Sequence, residues 1–419
     1  MQYCTCMKIR SRIILSFLPF LLLSGTMEGR VWLVAVGIDR YLDARIPSLH
    51  YPSADVSYVL DVLAVNPSRV IPRQLLNEEA TWRGLRSLLL NTLQRQMVDT
   101  DTLVFYFSGH GHFLEDSKLG NHQYIALYDS SPDDMSTYLN EDELAGWLDR
   151  IHCRLKILIF DSCSPMDFRI EAISTLPLNN PRSLKNMLIW SANQEQGKTW
   201  EVPFLNHSAF TFLLMQAWKG YADADRNGKV SVKETRRYLD SMILKIPGAA
   251  EYRPQTVVNG DPLTLNDFQW VYPPQIISQA IVVAIDSSHA VIDMGRENLP
   301  SRNAICYHPA TQQRYKFLEI LDYAAMIERN GMLKMGDRLE IKMPDAGGEL
   351  ILEVKPWAMA ELNQRPYGYT PLRIKDLAPG EYKLRLTHPE LGARVLNFSL
   401  TPGEQKRLFI NFAELPESE

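Results

Sequence analysis

Four uninterrupted apolar runs limit what this chain can fold into. VWLVAVG (31–37), TLVFYFS (102–108), LKILIFD (155–161) and MLIWSA (187–192) lack the polar alternation of a half-exposed strand. Runs of that length, rich in β-branched and aromatic residues, read as strands buried on both faces, as in parallel sheets. Between them, residues 54–65, 81–97 and 141–151 carry apolar residues at helical spacing, with Thr81 as a cap. Strands alternating with helices predict a parallel α/β sheet covered on both sides. This block spans residues 30–262.

In such sheets ligands bind beyond the carboxyl ends of the strands. Two of those ends carry reactive side chains: Ser108-Gly109-His110-Gly111-His112 and Asp161-Ser162-Cys163. A thiol attacks well only as a thiolate, and a nearby imidazole generates and keeps that charge. His110 precedes Cys163 by 53 residues, and both are expected at one sheet edge. Cys163 is therefore the expected nucleophile and His110 its base. Gly111 allows close backbone approach, and the N–H groups of Gly111 and Cys163 are candidates for an oxyanion hole.

The N-terminus has a different character. Lys8, Arg10 and Arg12 precede an 11-residue apolar stretch, 13–23, followed by Ser24 and Gly25. That order is expected for a signal peptide over 1–29, and the stretch is too short to span a membrane. The mature protein is thus expected to be exported, periplasmic or secreted, with no transmembrane span. Of five cysteines, Cys153, Cys163 and Cys306 would remain, an odd number that leaves a thiol unpaired. No Cys/His spacing suggests zinc, and thiol chemistry requires no cofactor. The net charge of −5, with no basic stripe, argues against nucleic acid as a partner.

Residues 223–234 fit a calcium loop position by position. Asp223, Asp225, Asn227, Lys229, Ser231 and Glu234 fall at positions 1, 3, 5, 7, 9 and 12, with Gly228 at 6. Helical patterns flank the loop at 209–219 and 233–244. Calcium is expected there.

Beyond residue 262 the runs shorten. Residues 270–345 read as a small β-rich domain with one helix at 324–329. Residues 347–413 read as a short-stranded sandwich with turns at Pro379-Gly380 and Pro402-Gly403.

FYFSGHGH (105–112) and LIFDSC (158–163) together resemble the paired signatures of the caspase/metacaspase peptidases. VWLVAVGIDRY (31–41), LHYPSADVSYVLDVL (49–63) and residues 191–220 resemble the surrounding elements of that family. The resemblance implies a caspase-like three-layer α/β sandwich with a mostly parallel central sheet, followed by small all-β domains. It also implies a cysteine endopeptidase acting on protein or peptide substrates. In metacaspases an acidic pocket selects the substrate residue before the cleaved bond, and its positions fall on Asp55, Ser108 and Asp161. Carboxylates there favour Arg or Lys. One departure stands out: Ser164-Pro165-Met166 replaces the family's His-Ser-Gly or similar, and Pro165 restricts the loop. The alternative is therefore a catalytically degenerate scaffold that binds protein partners. GELILEVKP with the turns at 368–371 and 379–382 resembles a PEGA-type module, which implies surface or protein contact.

Overall fold

The computed structural model describes residues 29–116, 120–162, 186–192, 200–249, 254–259, 269–273, 276–299, 304–329, 332–342, 347–377, 379–401 and 403–414. Cys163 and the expected signal peptide lie outside the described residues.

The first block runs β1 (Val31–Gly37), α1 (Pro52–Leu63), β2 (Val70–Leu76), α2 (Trp82–Ser87) and α3 (Gln94–Gln96), the last two joined by a π turn at Leu88–Leu93. It continues through β3 (Thr102–Ser108), β4 (Gly111–Asp116), β5 (Gly120–Ile125), β6 (Leu139–Asn140), α4 (Glu141–Asp149), β7 (Leu155–Asp161) and β8 (Met187–Ser191). Then come β9 (Glu201–Val202), β10 (His207–Ser208), α5 (Ala209–Gln216), β11 (Lys229–Ser231), α6 (Val232–Met242), β12 (Gln255–Asn259) and β13 (Gln269–Val271).

The central sheet has the order β12-β8-β7-β3-β1-β2. All its pairs are parallel except the edge strand β12. The four apolar strands β1, β3, β7 and β8 feed both faces, as their unbroken runs require. Leu33, Ala35, Val104 and Tyr106 pack with α1, α5 and α6, whereas Trp32, Val34, Phe105 and Phe107 pack with α2 and α4. The three-layer α/β sandwich is thus present. Thr81 caps α2 by accepting the Gly84 N–H at 3.0 Å.

A seven-stranded antiparallel sheet follows over 279–342. One of its faces has its own core around Val282, Ile292, Ile327 and Leu339. Its other face sends Ile281, Val283, Val291 and Tyr323 into the same apolar cluster as α1 and α5. The stretch expected to be helical at 324–329 is instead a strand, Ala325–Glu328. It pairs with His289–Ile292 on one side and Phe317–Ile320 on the other. Two strand partners outweigh the helical preference of AAMIE, which local propensity alone cannot enforce. The C-terminal region forms a mixed three-stranded sheet and an antiparallel four-stranded sheet around Leu350, Leu352, Leu384 and Leu386.

Candidate active site

Register brings the two motif-bearing strands together. Ser108, the last residue of β3, pairs with Asp161, the last residue of β7. The Gly109 N–H then donates to the Asp161 carbonyl at 3.3 Å. His110 therefore emerges two residues past one strand end, and Cys163 lies two residues past its neighbour in sequence. Gly111 opens β4, opposite Ile125 of β5.

His110 is held from two directions. Its backbone N–H donates to the Tyr41 hydroxyl at 2.8 Å, and the two rings lie 5.4 Å apart. Its Nε2 lies 2.8 Å from the Pro47 carbonyl oxygen. A carbonyl can only accept, so Nε2 carries the proton. In the neutral ring the basic lone pair then sits on Nδ1. The 47–51 segment is tied down by Glu201, whose carboxylate accepts the backbone N–H groups of His50 at 3.0 Å and Tyr51 at 3.3 Å.

Below the sheet edge is a buried acidic cluster. Asp55 comes from α1, Ser108 from β3 and Asp161 from β7, at 1%, 3% and 3% exposure. Ser108 Oγ donates to Asp55 Oδ2 at 3.3 Å. Asp161 Oδ2 accepts from the Thr211 hydroxyl at 2.6 Å and from the Ser208 hydroxyl. Asp161 Oδ1 is buried with no hydrogen-bond partner among the described residues. Burial, reinforced by the neighbouring Asp55, pushes the Asp161 carboxyl up to about 7. Burial also drives Asp55 well above the usual carboxylate range, against the Ser208 and Ser108 hydrogen bonds. A cluster of this kind, short of one hydrogen-bond donor, can receive a cation.

The sequence reading missed His207. It sits in β10 with Nδ1 2.9 Å from Asp55 Oδ1, and burial lowers it to about 3. The signal available was slight: a lone histidine before the Ser208 that caps α5. The two cysteines among the described residues, Cys153 and Cys306, are not activated as thiolates. Burial pushes Cys306 up to about 12 and raises Cys153 as well.

The 223–234 loop lies apart from this edge. Carboxylate oxygens of Asp223, Asp225 and Glu234 come within 4.8 Å of one another. Arg226 and Gly228 take positive φ values of 59° and 82°, which turn the chain around the three acids. The Asn227 amide carbonyl accepts from Lys229 N–H, and Ser231 caps α6 in a reciprocal bond with Glu234. Lys229–Ser231 forms β11 and pairs with β13. The helix before the loop ends at Gly220, whose φ of 117° breaks it.

No curated protein matches the sequence. Among solved structures the chain is similar to the protein GSU0716 from Geobacter sulfurreducens, with 16% identity and a TM-score of 0.43. That likeness covers 58% of this chain and 99% of the other. The sequence matches the caspase-domain family over residues 31–255, more than half its length and the whole of the central sheet up to its last edge strand. The chain belongs to the caspase-domain peptidase family.

Proposed function

We propose that the protein is a cysteine endopeptidase that cleaves after Arg or Lys, with Cys163 as nucleophile and His110 as general base. The observation that carries this reading is the register of Ser108 with Asp161, which sends both motif-bearing segments out of the sheet at one edge. His110 Nδ1 takes the thiol proton, and the thiolate attacks the substrate carbonyl carbon. The amide C–N bond then breaks as His110 passes its proton to the leaving amine, and water hydrolyses the thioester. The N–H groups of Gly111 and Cys163 stabilise the oxyanion. Asp161, with its orphaned Oδ1, and Asp55 receive the basic side chain.

Fluorogenic peptides ending in Arg, Lys or Asp, assayed beside Cys163→Ala, test this. Arg/Lys cleavage lost in the variant is expected. Folded protein that cleaves none of them under reducing conditions would favour the second reading, a scaffold that binds protein partners, for which the Ser164-Pro165-Met166 departure speaks.

We further propose that 223–234 binds calcium through Asp223, Asp225, Asn227, Lys229, Ser231 and Glu234. Three converging carboxylates and the loop spacing support it. Export by the 1–29 segment and surface attachment through a PEGA-like module at 347–413 are likewise our reading. Among the described residues no helix is long and apolar enough to cross a membrane.

A further inference from the structure

The buried acidic cluster is not self-supporting. Asp55 Oδ1 takes two donors from one hairpin, the His207 ring at 2.9 Å and the Ser208 N–H at 3.2 Å. Among the described residues, Asp55 Oδ2 takes only the longer bond from Ser108 at 3.3 Å. The imidazole therefore fixes which carboxylate oxygen faces Ser108 and the adjoining Asp161. His207 is itself clamped. Its ring lies 5.0 Å from that of Tyr58 and 6.5 Å, nearly parallel, from that of Phe212.

That clamp reaches into the middle sheet. The Tyr58 hydroxyl donates to Asp293 Oδ2 at 2.8 Å. Asp293 follows the strand His289–Ile292 and is fully buried. Lys219 Nζ sits 2.7 and 2.8 Å from its two oxygens, and Ile281 N–H donates to Oδ1 at 2.7 Å. A tyrosine fixed at its hydroxyl cannot slide along the histidine ring it supports.

We propose that His207 is the positioning residue of the pocket for the basic substrate side chain: it holds Asp55 in its working orientation, and the middle sheet holds His207 through Tyr58 and Asp293. This rests on the acidic-pocket reading of Asp55 and Asp161. His207 does not touch the substrate and acts through Asp55. An imidazole that only filled core volume would be replaceable by a phenyl ring.

The test uses benzamidine, an aryl cation with an arginine-like head, and the full chain carrying Cys163→Ala. Calorimetry gives Kd for this parent and for His207→Phe, His207→Asn and His207→Gln. Loss of one buried charge-assisted bond is expected to weaken binding by about tenfold or more in His207→Phe. His207→Asn places an amide nitrogen where Nδ1 was and should come within about threefold of the parent. His207→Gln places it where Nε2 was and should not recover binding. In the enzyme with Cys163 intact, the loss should fall on KM for an arginyl peptide rather than on kcat. Equal Kd for parent and a folded His207→Phe overturns the positioning role and leaves the acidic pocket standing. Should the phenyl variant not fold, equal Kd for His207→Asn and His207→Gln overturns it. A parent that does not bind benzamidine, with arginyl peptides uncleaved by the enzyme, overturns the pocket and this inference together.

Discussion

The Nε2 atom of His110 lies 2.8 Å from the backbone carbonyl of Pro47, a contact between the loop after β3 and the loop before α1. Among the described residues, a main-chain oxygen orients the ring through Nε2. The position of that oxygen depends on how the 47–51 segment is held, and Glu201 holds it.

Glu201→Ala should therefore act on catalysis from a distance. The two backbone N–H groups it serves are at the surface, so stability should change by less than about 1 kcal/mol. Misplacing a catalytic ring by a fraction of an ångström should lower kcat by about tenfold. Steady-state kinetics beside a thermal melt separates the two effects.

Asp161 gives the protein a pH signature. Its carboxyl titrates at about 7 in the folded state and near 3.8 when exposed. Between those values the native state binds the extra proton, so this group's contribution to stability is full below about pH 4 and is lost as pH rises through about 7. The span corresponds to at most about 4 kcal/mol. Asp161→Asn should melt higher than the parent at pH 8 and match it near pH 4. Arginyl-peptide binding should tighten through about pH 7 in the parent and lose that dependence in the variant.

Calcium should stabilise the loop between Gly220 and α6. At 100 times Kd, a ligand bound only by the folded state adds about 2.7 kcal/mol. Glu234→Gln removes one of the three converging carboxylates and should abolish the calcium-dependent rise in melting temperature. Calorimetric scans with calcium and with chelator read this directly.

Lys219→Ala should be among the most damaging single changes. It strands the Asp293 carboxylate, at 0% exposure, without its cation. Breaking such a pair from one side costs about 3–5 kcal/mol. Urea unfolding of Lys219→Ala checks the size, and a loss under about 1 kcal/mol would show that Tyr58 and the Ile281 N–H suffice.

The central sheet was legible because its strands are buried on both faces and so are apolar without interruption. The edges were harder. β2 reads VIPRQLL, with Pro72, Arg73 and Gln74 exposed, because it has a strand neighbour on one side alone. The edge strand β12 is short and antiparallel, and no unbroken apolar run marks it. The strand Ala325–Glu328 reads as a helix in sequence because Ala, Met and Glu favour one, and its partner His289–Ile292 is remote in sequence. Asp55, Ser108 and Asp161 could be picked from a family pattern, and the structure brings them into one cluster. His207 and Asp293 could not, since the contacts that join them to Asp55 and Tyr58 span 152 and 235 residues.

The middle sheet contributes Ile281, Val283, Val291 and Tyr323 to the apolar cluster beneath α1 and α5. The caspase fold and the sheet that follows therefore share one core and can be parted only by cutting through it. A gene fusion that spliced at residue 262 would uncover a hydrophobic flank and release Tyr58 from Asp293. A splice after Lys342 would leave both intact and set free only the last module, whose core is built from its own strands.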